Sequence, residues 1–220
     1  MKKFFFLFIG MMFLASCATT TTTPSQSGFL GEYAKKLTPV VPEKMDWMRW
    51  MKPGVDFTKY NKFMVDYVVF ALAEDSEYKG IDGDEMKKLG DAASLAMVNA
   101  IKEKYPIVAE PGPDVMRVRT AIIGLKQSNP VSSGITTVIP VGLGISLIKK
   151  GTSDAWIGSG ATKAEVLFID SMTNEVLGAG YDEYKAGFTE RFTKWGSVED
   201  AFTYWAKRGV QALETLKAKK

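Results

Sequence analysis

The side chains able to do chemistry in this chain are few, and the missing ones decide more than those present. In 220 residues there is no histidine and a single cysteine, Cys17. Ser-His-Asp and Cys-His relays, imidazole acid–base catalysis and the usual zinc and non-haem iron ligand sets are thereby excluded. What remains is carboxylate, lysine, tyrosine or serine chemistry of the kind glycosidases and Ser-Lys enzymes use. The polar residues best spaced for a site are Arg117, Arg119, Glu165, Asp182 and Glu183, which share one sheet face if their strands pair. Trp156 would then edge a small ligand pocket, although a solvated face or a structural ion pair accounts for the same cluster. Catalysis there by lysine or tyrosine would need a strongly shifted pKa. The expectation is a protein that is not an enzyme and that holds neither a metal nor a dissociable cofactor.

The one thiol has a more specific context. Residues 1–16 contain the basic pair Lys2 and Lys3, an apolar run over 4–14, and the small residues Ala15 and Ser16 immediately before Cys17. The apolar run is about half the length a helix needs to cross a bilayer, so it reads as a secretory signal and not as an anchor helix. Small residues followed directly by cysteine resemble the lipobox of bacterial lipoproteins. That resemblance implies cleavage between Ser16 and Cys17, a diacylglyceryl group on the Cys17 sulfur and an acyl chain on its new amino group. One acyl chain binds membranes marginally, whereas two or three make release very slow. The expected partner is therefore the membrane itself, through the lipid anchor. Ala18 stands where many inner-membrane lipoproteins of Gram-negative bacteria have aspartate, which favours the outer membrane and a periplasm-facing domain; in a single-membrane bacterium the anchor would hold the protein to the plasma membrane.

Residues 17–28 follow as a tether, with five consecutive threonines from Thr19 to Thr23 and then Pro24-Ser25-Gln26-Ser27-Gly28. No apolar periodicity is present to order it. Ten such residues have a root-mean-square reach of roughly 17 Å and a limit near 34 Å. The rest, 29–220, has the composition of a single globular domain: the whole chain is 46% hydrophobic and 12% aromatic, with a formal net charge of +3 that falls once Lys2 and Lys3 are removed. A surface so close to neutral makes no electrostatic case for nucleic acid.

The elements that must position any site alternate in period. Residues 29–53 read as a short helix or turn near 31–37 and then irregular chain; Trp47 and Trp50, three apart, share a face if that piece is helical. They pack as core or lid, or they form a stacking pair for a ligand. The run 63–72, rich in valine and aromatics, reads as a central strand covered on both sides. Asp82 or Asp84 caps a helix to about 105, and 115–125 follows as a strand with Met116, Val118 and Ile122 on one face and Arg117 and Arg119 on the other. Strands over 161–170 and 176–185 flank a hairpin loop in which Asp170 accepts turn amides and Asn174 tolerates positive φ. A last helix from Ser197 to about 217 carries an apolar stripe through Val198, Phe202, Trp205, Gly209 and Leu213. Together these predict an α+β two-layer sandwich, a mostly antiparallel sheet of four or more strands packed by two amphipathic helices.

One segment fits none of these elements. Residues 134–148 contain no charge, and Pro140, Gly142 and Gly144 argue against a straight helix. The segment is either a buried strand or hairpin, or an apolar loop presenting Ile139, Leu143 and Ile145 to lipid or a partner. Its glycines, and Gly158-Ser159-Gly160 beyond it, do not make a nucleotide or phosphate loop.

The Cys17 motif, the Ser27-Gly28-Phe29-Leu30 opening with Tyr33, the Trp156 to Gly160 segment before Ala164-Glu165, the Asp170 to Glu175 hairpin and the terminal Ala201-Phe202 and Trp205-Ala206 pairs together look like a family of bacterial lipoproteins. That family is catalogued as domain of unknown function thirty-three thirteen. Asn174 departs from the glycine expected in its hairpin. The resemblance implies an envelope lipoprotein and supplies no catalytic residues. The function expected is a non-enzymatic binding or structural module at the periplasmic face of the outer membrane, with an envelope protein as partner. Two alternatives are a carrier or sensor of a small apolar or lipid-like ligand, and a carboxylate enzyme acting on cell-wall glycan.

Overall fold

The computed structural model describes residues 27–41, 44–73, 81–126, 161–185 and 196–218. Ser16, Cys17, the threonine run, the 134–148 segment with Ile139, Leu143 and Ile145, and Trp156 lie outside the described residues. A 3-10 helix over Gly31–Lys36 leads into β1 (Thr38–Val41) and β2 (Lys44–Met51). A second 3-10 turn, Phe57–Lys59, precedes β3 (Lys62–Val65) and β4 (Val69–Phe70). Then come α1 (Gly83–Lys102), β5 (Val115–Lys126), β6 (Ala161–Asp170), β7 (Val176–Lys185) and α2 (Gly196–Ala218).

The strands form one sheet in the order β1-β2-β7-β6-β5-β3, with β4 beside β3 on the same edge of β5. Every pairing is antiparallel except those of β3 and β4 with β5. The fold is the expected α+β sandwich. Both helices lie on one face, where Met116, Val118, Ile122 and Ala164 meet Leu89, Ala93 and Met97 of α1 and Phe202, Val210 and Leu213 of α2. The other face is covered by the N-terminal segment: Leu30 and Leu37 seal Ala121, Ile123, Leu167, Ala179 and Tyr181. Two cores back to back explain why β5 and β6 are buried on both sides, and why β6 carries the unbroken apolar run 166–169.

The local signals act as their chemistry requires. Asp82 caps α1 by accepting from the Glu85 amide at 2.8 Å, and Asp170 Oδ1 accepts the Met172 and Thr173 amides at 3.0 Å in the β6–β7 turn. Asn174 takes φ 58° there, the left-handed conformation asparagine tolerates at low cost.

Two expectations are corrected. The 63–72 run is not a central strand but two short edge strands, because the chain leaves the ladder at Asp66, whose carboxylate turns to Arg117. Its apolar character serves the packing under α1, while Tyr67 and Val69 face solvent. Trp47 and Trp50 lie on β2, where side chains alternate, so their spacing of three puts them on opposite faces. Trp50 stacks on Tyr33 with ring centroids 5.1 Å apart, while Trp47 meets α2.

Candidate functional site

The register separates the polar cluster expected on one face. Ala121 pairs with Glu165 and Glu165 with Tyr181, whereas Ala164 pairs with Asp182. Arg117, Arg119, Glu165 and Glu183 therefore share the face covered by the N-terminal segment, and Asp182 lies on the helix face. Arg117 grips Asp66 with two bonds, at 2.8 and 2.7 Å, and Arg119 approaches the same carboxylate at 3.5 Å. This pairing raises the Arg117 pKa further. Glu165, 2% exposed, accepts the Ser27 hydroxyl at 2.6 Å. Burial raises its pKa, against the opposing pull of hydrogen bonds from Ser27 and the Leu30 backbone. Glu165 thus fastens the N-terminal segment to β6, while Arg117 and Arg119 hold Asp66 against β5.

A second carboxylate, Asp170, is occupied as well. Tyr60 Oη donates to its Oδ2 at 2.7 Å and Lys59 Nζ at 2.9 Å. Burial alone would raise its pKa; the hydrogen bonds from Tyr60, Lys59 and the Thr173 and Met172 amides prevail and hold it far below the usual carboxylate range. Among the described residues no group of three or more His, Cys, Asp or Glu side chains is placed to hold a metal ion.

The feature with room for a ligand lies on the helix face. Between α2 and β2, β7, β6 and β5 is a cavity of about 180 Å³. It exists because small residues face each other across the layers. Gly180 of β7 and Ala164 of β6 bring no bulk from the sheet side, and Gly209 and Ala212 bring none from α2. A methyl group added at Gly209 would meet nothing within 4 Å. Around this gap the walls are Phe57, Phe63, Met97, Ile101, Phe202 and Leu213. The volume is comparable to dry apolar cavities of roughly 150 Å³ that take up benzene or xenon.

The rim is polar. Trp47 pairs with Asp182 across β2 and β7, and the guanidinium of Arg208 lies 3.4 Å from the Trp47 ring centroid. Arg208 Nη1 bonds Asp182 at 3.0 Å and the Tyr204 hydroxyl at 3.0 Å. Arg49 stands two residues along β2 from Trp47, exposed, opposite Gly180. Thr120 Oγ1, Trp205 Nε1 and Arg208 Nη2 are buried without a hydrogen-bond partner, and all three residues line this cavity. A buried polar atom left unpaired costs about 1–3 kcal/mol, so three around one cavity call for an explanation.

Of the residues singled out in the sequence, the structure uses Asp182 at this rim and Arg117, Arg119 and Glu165 elsewhere. Arg49, Arg208, Trp205 and Thr120 were not legible as a set. The available signal was Gly209, a glycine inside the apolar stripe of a long helix, which weakens the helix unless the missing side chain leaves needed space.

A family model described as Protein of unknown function (DUF3313) matches residues 25–208. An uncharacterized lipoprotein, YdcL, of Escherichia coli strain K12 is 26% identical over 169 residues, which cover 76% of this chain and 74% of YdcL. Among solved structures, a PelC dodecamer from Paraburkholderia phytofirmans superposes with TM-score 0.42 at 10% identity, covering 76% of this chain and 95% of that one. A DUF4136 family protein from Bacteroides thetaiotaomicron gives 0.35 at 9% identity, covering 79% and 98%. Both scores are too low to equate the folds.

Proposed function

The chain belongs to the DUF3313 family of proteins of unknown function, and from that premise we propose that it is an envelope lipoprotein, lipidated at Cys17, whose folded domain binds a small apolar or lipid-like ligand without chemical turnover. The similarity to an E. coli lipoprotein supports the anchored, envelope-resident part of this reading. The residues before and after Cys17 favour the periplasmic face of the outer membrane.

The single observation that carries the binding role is the gap between α2 and the sheet, walled by apolar side chains and left open by Gly209. Protein interiors are close-packed, and a void this size forfeits contacts that larger side chains at 209 or 212 would restore. A structural module gains nothing from such a void; a binding module needs it. The described carboxylates Asp66, Glu165, Asp170 and Asp182 are each engaged by a named partner, which gives the glycan-enzyme alternative no support.

The test is photo-crosslinking in membranes that hold the native protein, with a neutral alkyl alcohol of about ten carbons bearing a diazirine. Labelling of peptides spanning 176–185 and 196–218, reduced at least several-fold by Gly209→Leu, is expected. No labelling of those peptides, or equal labelling of both proteins, would overturn the reading. Circular dichroism of the purified variant verifies that it is folded.

A further inference from the structure

The unpaired groups of the cavity wall specify the ligand's head, an inference that rests on the binding role proposed above. We infer that the cavity takes a single acyl chain ending in a carboxylate, tail inward and head at Arg49 and the inner nitrogen of Arg208.

Charge selects an anionic head. The charged residues lining the cavity are Arg49, Glu165, Asp182 and Arg208. Glu165 turns to the opposite face to meet Ser27, and Asp182 is matched by Arg208 at 3.0 Å. Arg49 has no ion pair among the described residues, so the described rim residues leave one positive charge uncompensated. An anionic head is complementary to it; a cationic head is repelled.

Donor geometry selects a planar acceptor. Arg208 spends one nitrogen on Asp182 and Tyr204 and leaves Nη2 without an acceptor, and Trp205, one turn earlier on α2, leaves its indole N–H in the same condition. Indole and guanidinium groups only donate. What they lack is an acceptor, and a carboxylate offers two oxygens in the plane that matches a guanidinium fork. A phosphate head has three or four oxygens to satisfy and a larger charge, which the single uncompensated arginine does not match.

Size selects a single chain. A pocket of about 180 Å³ holds one slender chain and excludes a two-tailed lipid. Phe63, Met97, Ile101 and Phe202 supply a tail-binding floor without hydrogen-bonding groups, the surroundings methylenes favour.

The experiment repeats the crosslinking with two diazirine probes of equal tail, a decanoate and the neutral alcohol, at a pH where the acid is ionised. The decanoate is expected to label the cavity peptides about two- to fivefold more efficiently, the range of an exposed ion pair. Arg49→Gln is expected to abolish this preference, read as the ratio of decanoate to alcohol labelling in the same protein. Equal labelling by both probes, or a preference that survives Arg49→Gln, sinks the carboxylate assignment and leaves the apolar-binding role standing. Loss of labelling by both probes sinks that role instead.

Discussion

The guanidinium of Arg208 stacks 3.4 Å from the Trp47 ring centroid and is held there by Asp182 at 3.0 Å, joining the last helix to the second strand across the mouth of the cavity. A planar, delocalised cation is required for that stack. Arg208→Lys keeps the charge and loses the plane, and should cost about 1–2 kcal/mol, the worth of a partly desolvated cation–π contact. Urea unfolding followed by tryptophan fluorescence measures it, and a change under about 0.3 kcal/mol would show that the stack contributes little.

Gly209 of α2 and Gly178 of β7 should respond to alanine with opposite sign. At Gly209 a methyl group meets open space, so Gly209→Ala should stabilise by up to about 1 kcal/mol through helix propensity alone. At Gly178 it would sit 2.8 Å from the Met51 sulfur and 3.3 Å from the Trp50 carbonyl oxygen, and Gly178→Ala should cost about 1–3 kcal/mol. Paired thermal melts decide the matter; two changes of the same sign would contradict the packing described.

Asp170 ties Tyr60 and Lys59 to the β6–β7 turn, and its folded-state pKa lies well below the unfolded value. A depressed carboxylate contributes stability that is present above the unfolded pKa, near 4, and is lost as pH falls from there toward the folded pKa. Asp170→Asn should therefore be less stable than the parent at neutral pH, by about 1–3 kcal/mol. The gap should narrow steadily below about pH 4. Melting temperatures of both proteins across that range check the slope.

Glu165 has the reverse sign. Burial raises its folded-state pKa, so its contribution is greatest below the unfolded pKa and declines as pH rises through the folded one. Glu165→Gln keeps an acceptor for the Ser27 hydroxyl and removes the buried charge. At neutral pH it should match or exceed the parent in stability, with the advantage vanishing in acid. A clear loss at neutral pH would show instead that the charged form is the preferred partner of Ser27.

Cys17→Ser removes the proposed site of lipid attachment. The protein is expected to move from the membrane pellet to the soluble fraction, and the native mature protein should show an intact mass carrying diacylglyceryl and acyl groups. Continued sedimentation of the variant with membranes at high salt would contradict the anchor.

The strands from 115 to 185 and both helices were legible because their signals are local: alternation on β5, the Asp170 and Asn174 turn chemistry, and the cap at Asp82. Failures came where the partner decides. The 63–72 run is apolar because α1 covers it, and nothing in its own composition distinguishes that from a place in the centre of the sheet. Trp47 and Trp50 fit a helix as well as a strand until β7 pairs with β2. The candidate site was the least legible part, since a cavity is made by side chains that are small, and glycines at 180 and 209 announce it only once their elements face one another.

Ser27 is fastened to Glu165, and Glu165 sits on β6, which is hydrogen-bonded to β5 on one side and β7 on the other. A tug arriving along the residues before Ser27 is thus delivered to the middle of the sheet, away from its loose margin at β1. The knot sits on the face turned from the helices, opposite the cavity between α2 and the sheet, so a load arriving at Ser27 and the proposed ligand would act on opposite sides of the same wall.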